Sequence, residues 1–304
     1  MNPYKLGPWL VALAALLWAV DAPFRKYLTV GLSSTAIVLM EHLVIAVLVI
    51  LFLHKYLGEF RNLNARDWLA VIFIGFGGSA LATVFFTQSF HYVNPSVAIL
   101  LQKTQPFIAI LMAVTFLKER LRARFWLWAI VGVFGAYLVS FPELRIENLG
   151  LGGVNLGVIF ALLAAFLWGG STVFGRLVLY KVSFQAMTAL RFLTALVFLF
   201  LLNVYYGTLV ELPTATGTDW FYVFIIAVLA GFISLFIYYL GLKSTKASVA
   251  TICELAFPFA AVVVNWKFLG ATLEATQILG GLILLGAVIG LSRENAANDA
   301  IMTE

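Results

Sequence analysis

Lys103 and Glu254 are charges set in apolar surroundings, and those surroundings are related. Lys103 lies in 97–109, VAILLQKTQPFIA, and Glu254 lies in 249–261, VATICELAFPFAA, displaced by 152 residues. Each stretch carries a proline in its second half, Pro106 and Pro258. Each places polar groups just before it: Gln102, Lys103 and Gln105 in the first, Glu254 in the second. A charge in mid-helix in lipid costs about 2.5–3.5 kcal/mol, so such residues face a cavity or a partner. Proline withdraws an amide donor and frees the carbonyl one turn earlier. The two stretches are therefore expected to line a central substrate path, with Pro106 and Pro258 as hinges. Lys103 suits a carboxylate, and Glu254 suits an ammonium group or a proton. The competing reading is a salt bridge between the two that never meets substrate, and desolvation would offset much of its attraction.

Other candidates come in related pairs. Glu41 and Arg191 are opposite charges 150 residues apart. They read as an ion pair within the membrane or as two ends of one pathway. His42 beside Glu41 titrates near neutral pH in principle, but adjacent helical residues point about 100° apart, so packing is its expected role. Trp18 and Trp168, also 150 apart, offer planar faces and indole N–H groups to a flat substrate. Thr83, Phe86 and Gln88, with Tyr238 and Tyr239, form a polar-aromatic stripe that belongs to the same expected cavity. The run Gly75-Phe76-Gly77-Gly78 and the spacing of Gly286 and Gly290 mark close helix packing. They are not a phosphate cradle, because no strand precedes them. HExxH and GxSxG are absent, the histidines (His42, His54, His91) are scattered, and Cys253 is the single cysteine. Neither an enzyme nor a cofactor or metal site is expected.

The elements that must position these groups are membrane spans. The chain has 304 residues, 63% hydrophobic and 11% charged, with a mean hydropathy of +1.02. Soluble domains are about 45–50% apolar and about 25% charged. A span needs about 20 mainly apolar residues, and ten such stretches occur: 7–27, 34–54, 67–89, 95–117, 124–142, 154–178, 185–206, 219–241, 247–269 and 273–292. The net charge of +5 does not point to nucleic acid, since the basic residues sit in loops. With the N-terminus inside, 13 of the 19 Lys and Arg residues fall on the cytoplasmic side, against 4 outside and 2 (Lys103 and Arg191) within spans. Both termini are therefore expected in the cytoplasm, with 293–304 as a disordered polar tail.

The halves repeat. Leu17-Trp18, Phe24 and Ser33 match Leu167-Trp168, Phe174 and Ser183 at an offset of 150. Asp67-Trp68, Ser96-Val97-Ala98 and Pro106-Phe107 match Asp219-Trp220, Ser248-Val249-Ala250 and Pro258-Phe259 at 152. Five spans per half is odd, so 151–292 must enter the membrane in the opposite sense to 1–150. The expected fold class is thus an all-α integral membrane protein, ten transmembrane helices in a five-plus-five inverted repeat around a central cavity, the plan of many secondary transporters.

These features resemble the EamA branch of the drug/metabolite transporter superfamily: the five-plus-five spans, the Leu-Trp pair opening each half, the proline-containing fourth helix and the hinge Phe116-Leu117-Lys118-Glu119-Arg120-Leu121. The second half departs at Phe268-Leu269-Gly270-Ala271-Thr272-Leu273, with Ala271 where the resemblance implies Glu. The aromatic cavity segments resemble those of the YddG-type bacterial aromatic amino-acid exporters. The resemblance implies export of a small metabolite, foremost an aromatic or apolar amino acid, by alternating access across the inner membrane. The protein would act as a monomer without a cofactor, with proton coupling through Glu254 or Glu41 open. Export of a nucleotide sugar, purine or drug is the alternative, and a gated facilitative channel a further one.

Overall fold

The computed structural model describes residues 3–28, 30–89, 92, 101–140, 156–269 and 274–302, and among them there is no strand. The helices run α1 (Pro3–Trp18), α2 (Asp21–Leu28), α3 (Ser34–Leu53), α4 (Ala65–Ile72), α5 (Ala82–Ser89), α6 (Gln105–Phe116), α7 (Ala123–Ser140), α8 (Leu156–Val178), α9 (Phe184–Tyr206), α10 (Gly217–Ile225), α11 (Ser234–Lys243), α12 (Ala247–Cys253), α13 (Ala256–Leu269) and α14 (Ala275–Met302). A π-helical segment, Phe73–Leu81, joins α4 to α5, and another, Ile226–Ile233, joins α10 to α11. The main packed pairs are α7 with α14, α1 with α11, and α3 with α9, while α8 packs against both α5 and α6.

Among the described residues, six helical stretches, from Ser34–Leu53 to Ala275–Ala296, are long and apolar enough to cross a membrane, and four shorter apolar helices accompany them. Only 44–56% of each crossing stretch is buried within the protein. The outward faces are apolar as well: Val47, Ile50, Leu51, Phe200 and Leu201 all point away from the core. A helix facing water would be polar on that side. Here the outer solvent must be lipid, and the chain is a multi-pass membrane protein.

The helix starts follow from their caps. Ser33 and Ser183 each accept an amide with the side chain, from Ala36 and Ala186, both at 3.2 Å. Their own amides are taken by distant carboxylates, Ser33 by Glu211 at 2.6 Å and Ser183 by Glu59 at 2.5 Å. Asn64 with Asp67 and Thr216 with Asp219 form full capping boxes, which satisfy two orphan amides reciprocally. Each carboxylate in the Ser–Glu pairs comes from the opposite half of the chain, so the halves interlock at both caps.

Three expectations need correction. The stretch 7–27 is not one helix: α1 ends at Trp18 and α2 starts at Asp21, because Pro23 sits in the first turn of the new helix and cannot donate to the old one. Residues 293–302 are not a disordered tail but continue α14. Asn295 anchors this end by donating to the Tyr4 and Ser244 carbonyls at 2.9 and 3.0 Å, and Ser292 donates to the Lys5 carbonyl at 2.6 Å. Nor do Pro106 and Pro258 interrupt helix interiors. The breaks fall earlier, at Lys103-Thr104 and Glu254-Leu255, and Pro106 and Pro258 lie in the first turns of α6 and α13, where a missing amide costs nothing.

Candidate substrate site

Glu254 ends α12 at one of these breaks, and its carboxylate is held from three helices. Tyr238 of α11 donates to Oε1 at 2.7 Å and Thr172 of α8 donates to the same oxygen at 3.1 Å. Gln105, the first residue of α6, donates to Oε2 at 2.8 Å. Gln102 in turn donates to the Gln105 amide oxygen at 2.9 Å. Hydrogen bonds to a charged group are worth about 1.5–3 kcal/mol each, so three are enough to offset the cost of about 2.5–3.5 kcal/mol for a charge in an apolar helix. The backbone carbonyl of Glu254 is not left free by Pro258, because the Phe257 amide binds it at 3.0 Å.

Close approach of α8 makes the arrangement possible. A Cβ on Gly169 would lie 3.2 Å from the Gln105 carbonyl, and one on Gly170 would lie 2.7 Å from the Phe73 ring. Rings flank the polar knot. Trp18 lies 5.5 Å from Tyr238 between centroids, Tyr238 lies 5.4 Å from Tyr239, and Phe86 meets Trp168 edge-on at 5.2 Å. Gln105, Thr172, Tyr238 and Tyr239 are buried, while Trp18, Thr83, Phe86, Gln102, Lys103, Trp168 and Glu254 are half-buried. Thr83 precedes Phe86 by one turn on α5. Gln88 is exposed and makes no hydrogen bond to this group among the described residues.

Lys103 and Glu254 are not a salt bridge. The Lys103 ammonium sits over the Phe257 ring, 5.5 Å from its centroid, and the oxygens of Glu254 are taken by the neutral donors above. Glu41 and Arg191 do not pair either. Arg25 of α2 meets Glu41 at 2.9 Å. Arg191 donates to Ser79 at 2.8 Å, to the Tyr239 hydroxyl at 3.1 Å and to the Gly78 carbonyl at 3.5 Å. The reason is local geometry: the break after Trp18 brings Arg25 over α3, while Gly75 lets α9 close on the π segment, since a Cβ there would lie 2.6 Å from Thr194 Cβ. His42 packs edge-on against Phe192 and bonds the Val38 carbonyl at 2.8 Å, as a structural histidine does.

Thr172 and Ser79 escaped the sequence reading, while Arg25, whose i, i+4 spacing suits a local pair with Asp21, meets Glu41. Thr172 carried one usable signal, its position four residues after Trp168 on the same helical face. Its repeat partner is Ala22, so the symmetry that exposed the other candidates is silent there. Among the described residues no group of three His, Cys, Asp or Glu side chains converges to hold a metal.

A polar knot at helix breaks inside a lipid-facing bundle fits a membrane transporter. The chain belongs to the EamA-like transporter family, whose model matches residues 5–141 and again 155–293, and through it to the drug/metabolite transporter superfamily. It is 30% identical over 299 residues to a riboflavin transporter, ImpX, of Fusobacterium nucleatum, covering 97% of this chain and all of that one. It is 26% identical over 292 residues to an uncharacterized transporter, YdfC, of Bacillus subtilis, covering 90% and 86% of the two chains. A solved crystal structure shares the fold with a TM-score of 0.74 at 18% identity, over 94% of this chain and 97% of that chain.

Proposed function

We propose that the chain carries a small, flat aromatic metabolite across the plasma membrane by alternating access. The observation that carries this reading is the Glu254 knot. It lies at a helix break, is gripped by α6, α8 and α11 together, and is flanked by the Trp18, Tyr238 and Trp168 rings. Ring faces stack on a planar solute, while Gln102 and the Glu254 group offer donors and acceptors in the plane. Rigid-body rocking of one bundle against the other changes the distances between those three helices and so remakes the knot.

Ten spans in a five-plus-five inverted repeat, divided near residue 150, remain the architecture this mechanism needs. The double family match, the paired π segments, the paired capping boxes and the breaks at Lys103-Thr104 and Glu254-Leu255 support that plan. Cytoplasmic termini and a monomeric unit belong to the same reading.

A flavin is the first substrate to test, because the similarity to the riboflavin transporter spans the whole chain and a neutral tricyclic ring suits a pocket of rings and neutral donors. Export of an aromatic amino acid is the second reading. It is favoured by Lys103 and Glu254, which are opposite charges not spent on each other and therefore available to a carboxylate and an ammonium group. Glu254 is also the group through which a proton would couple. Reconstituted proteoliposomes loaded with labelled riboflavin, phenylalanine or tryptophan decide between them. Flux and cross-competition restricted to riboflavin support the flavin reading, and flux restricted to the amino acids supports the other. If none of the three moves or competes, the aromatic-solute proposal is wrong.

A further inference from the structure

Between α6 and α7 an apolar groove of about 370 Å3 opens toward the lipid, and a second compartment of about 270 Å3 continues it, sharing Phe107, Ile110 and Trp126. On α7 the lining residues Trp126, Ile130, Phe134 and Tyr137 recur every three or four positions, which puts them in one stripe along the helix. Arg122 immediately precedes α7, four residues before Trp126. It is exposed, as are Lys118, Arg120 and Arg124 around it. The nearest acid in this run, Glu119, is turned away to the N-terminus of α12, where it accepts from the Ala247 and Ser248 amides at 2.7 and 3.1 Å and from the Ser248 hydroxyl at 2.5 Å. The basic mouth is therefore not neutralised from its own loop.

The inner wall of the groove belongs to the helices that break. Phe107 follows Pro106, and Ile252, two residues before Glu254, lines the groove floor. Gly132 lets α7 close on that floor, since a Cβ there would lie 2.9 Å from Ile252 Cγ2.

We propose that this groove binds an anionic phospholipid, with one acyl chain along the α7 stripe and the phosphate at Arg122, so that occupancy bears directly on both broken segments. Shape and charge select this occupant together: an apolar slot for a chain that ends in an exposed cationic cluster. The proposal does not depend on the identity of the transported solute.

The test uses detergent-purified full-length protein titrated with dioleoylphosphatidylglycerol or dioleoylphosphatidylcholine, read by native mass spectrometry and by melting temperature. The expected result is one retained phosphatidylglycerol and an anionic preference of about tenfold. That preference is lost in Arg122→Gln/Arg124→Gln, and retention of either lipid is lost when Ile130→Trp fills the slot. Arg61→Gln/Arg66→Gln removes equal charge elsewhere and keeps the preference. Equal retention of both lipids by the parent protein overturns the proposal, as does a preference that survives Arg122→Gln/Arg124→Gln or a shift reproduced by inorganic phosphate alone. Efficient cross-linking of Ile130→Cys to a second copy, in a Cys253→Ala background, also overturns it, since a protein partner then covers the groove.

Discussion

Gln105 donates to Glu254 at 2.8 Å across a sequence separation of 149 residues, joining the helix that follows one break to the residue that forms the other. With the Lys103 ammonium over the Phe257 ring, this bond ties the two related segments 97–109 and 249–261 to each other. Gln105→Leu leaves one oxygen of Glu254 without its donor. Loss of a buried hydrogen-bond partner costs about 1–3 kcal/mol, so a melting temperature several degrees lower is expected, together with slower transport. An unchanged melting temperature in lipid nanodiscs would mean that the bond contributes nothing to the fold.

Glu254→Gln keeps the shape but replaces an acceptor oxygen with a donor amide facing Tyr238 and Thr172 on one side or Gln105 on the other. Facing Gln105 the amide would meet another donor, and facing the hydroxyls it would force Tyr238 and Thr172 to turn from donating to accepting. Transport is expected to fall at least about tenfold, equivalent to about 1.4 kcal/mol, while the protein still purifies as a monodisperse species. Initial rates in proteoliposomes at matched protein density measure this, and normal flux would remove Glu254 from the site.

Because Lys103 rests on Phe257 rather than on Glu254, the two charges should behave as independent groups. In a double-mutant cycle built from Lys103→Met and Glu254→Gln, the stability changes are expected to add within about 0.5 kcal/mol. A larger coupling would restore the salt bridge that the geometry excludes.

The crossing of α1 and α11 depends on Gly241, where a Cβ would lie 2.7 Å from the Gly7 carbonyl and 2.9 Å from the Val11 amide nitrogen. Both are backbone atoms that cannot swing aside. Gly241→Ala should lower stability by about 1–3 kcal/mol through overpacking. Gly286→Ala, with nothing within 4 Å of its added carbon, should raise stability by up to about 1 kcal/mol from helix propensity. Thermal melts of the two variants side by side check the contrast, and equal effects would refute it.

Orientation is tested by cysteines placed at Arg122 and Thr214 in a Cys253→Ala background. Membrane-impermeant maleimide applied to intact cells should label the Thr214→Cys variant and spare Arg122→Cys. The opposite pattern would invert the topology inferred from the Lys and Arg distribution.

Much of the protein was legible from residue order alone. Membrane residence follows from composition, because apolar outer faces and apolar cores are written in the same alphabet and leave no place for water. That Glu254, Gln102 and Gln105 must find partners inside the protein was readable because a polar group in such a segment has no low-energy place except an interior site. The related prolines marked where the helices begin again, although not the residues at which they stop. Partner choice was not legible, since it depends on where side chains end up in space. Lys103 faces Phe257 because the turn at Lys103-Thr104 redirects it. Glu41 meets Arg25 because the break after Trp18 starts a second helix at Asp21 that carries the guanidinium over α3. Thr172 joins the knot because Gly169 and Gly170 let α8 pack close to α6. Charge and periodicity determine which residues must be satisfied, but only the packing of helices distant in sequence decides which groups satisfy them.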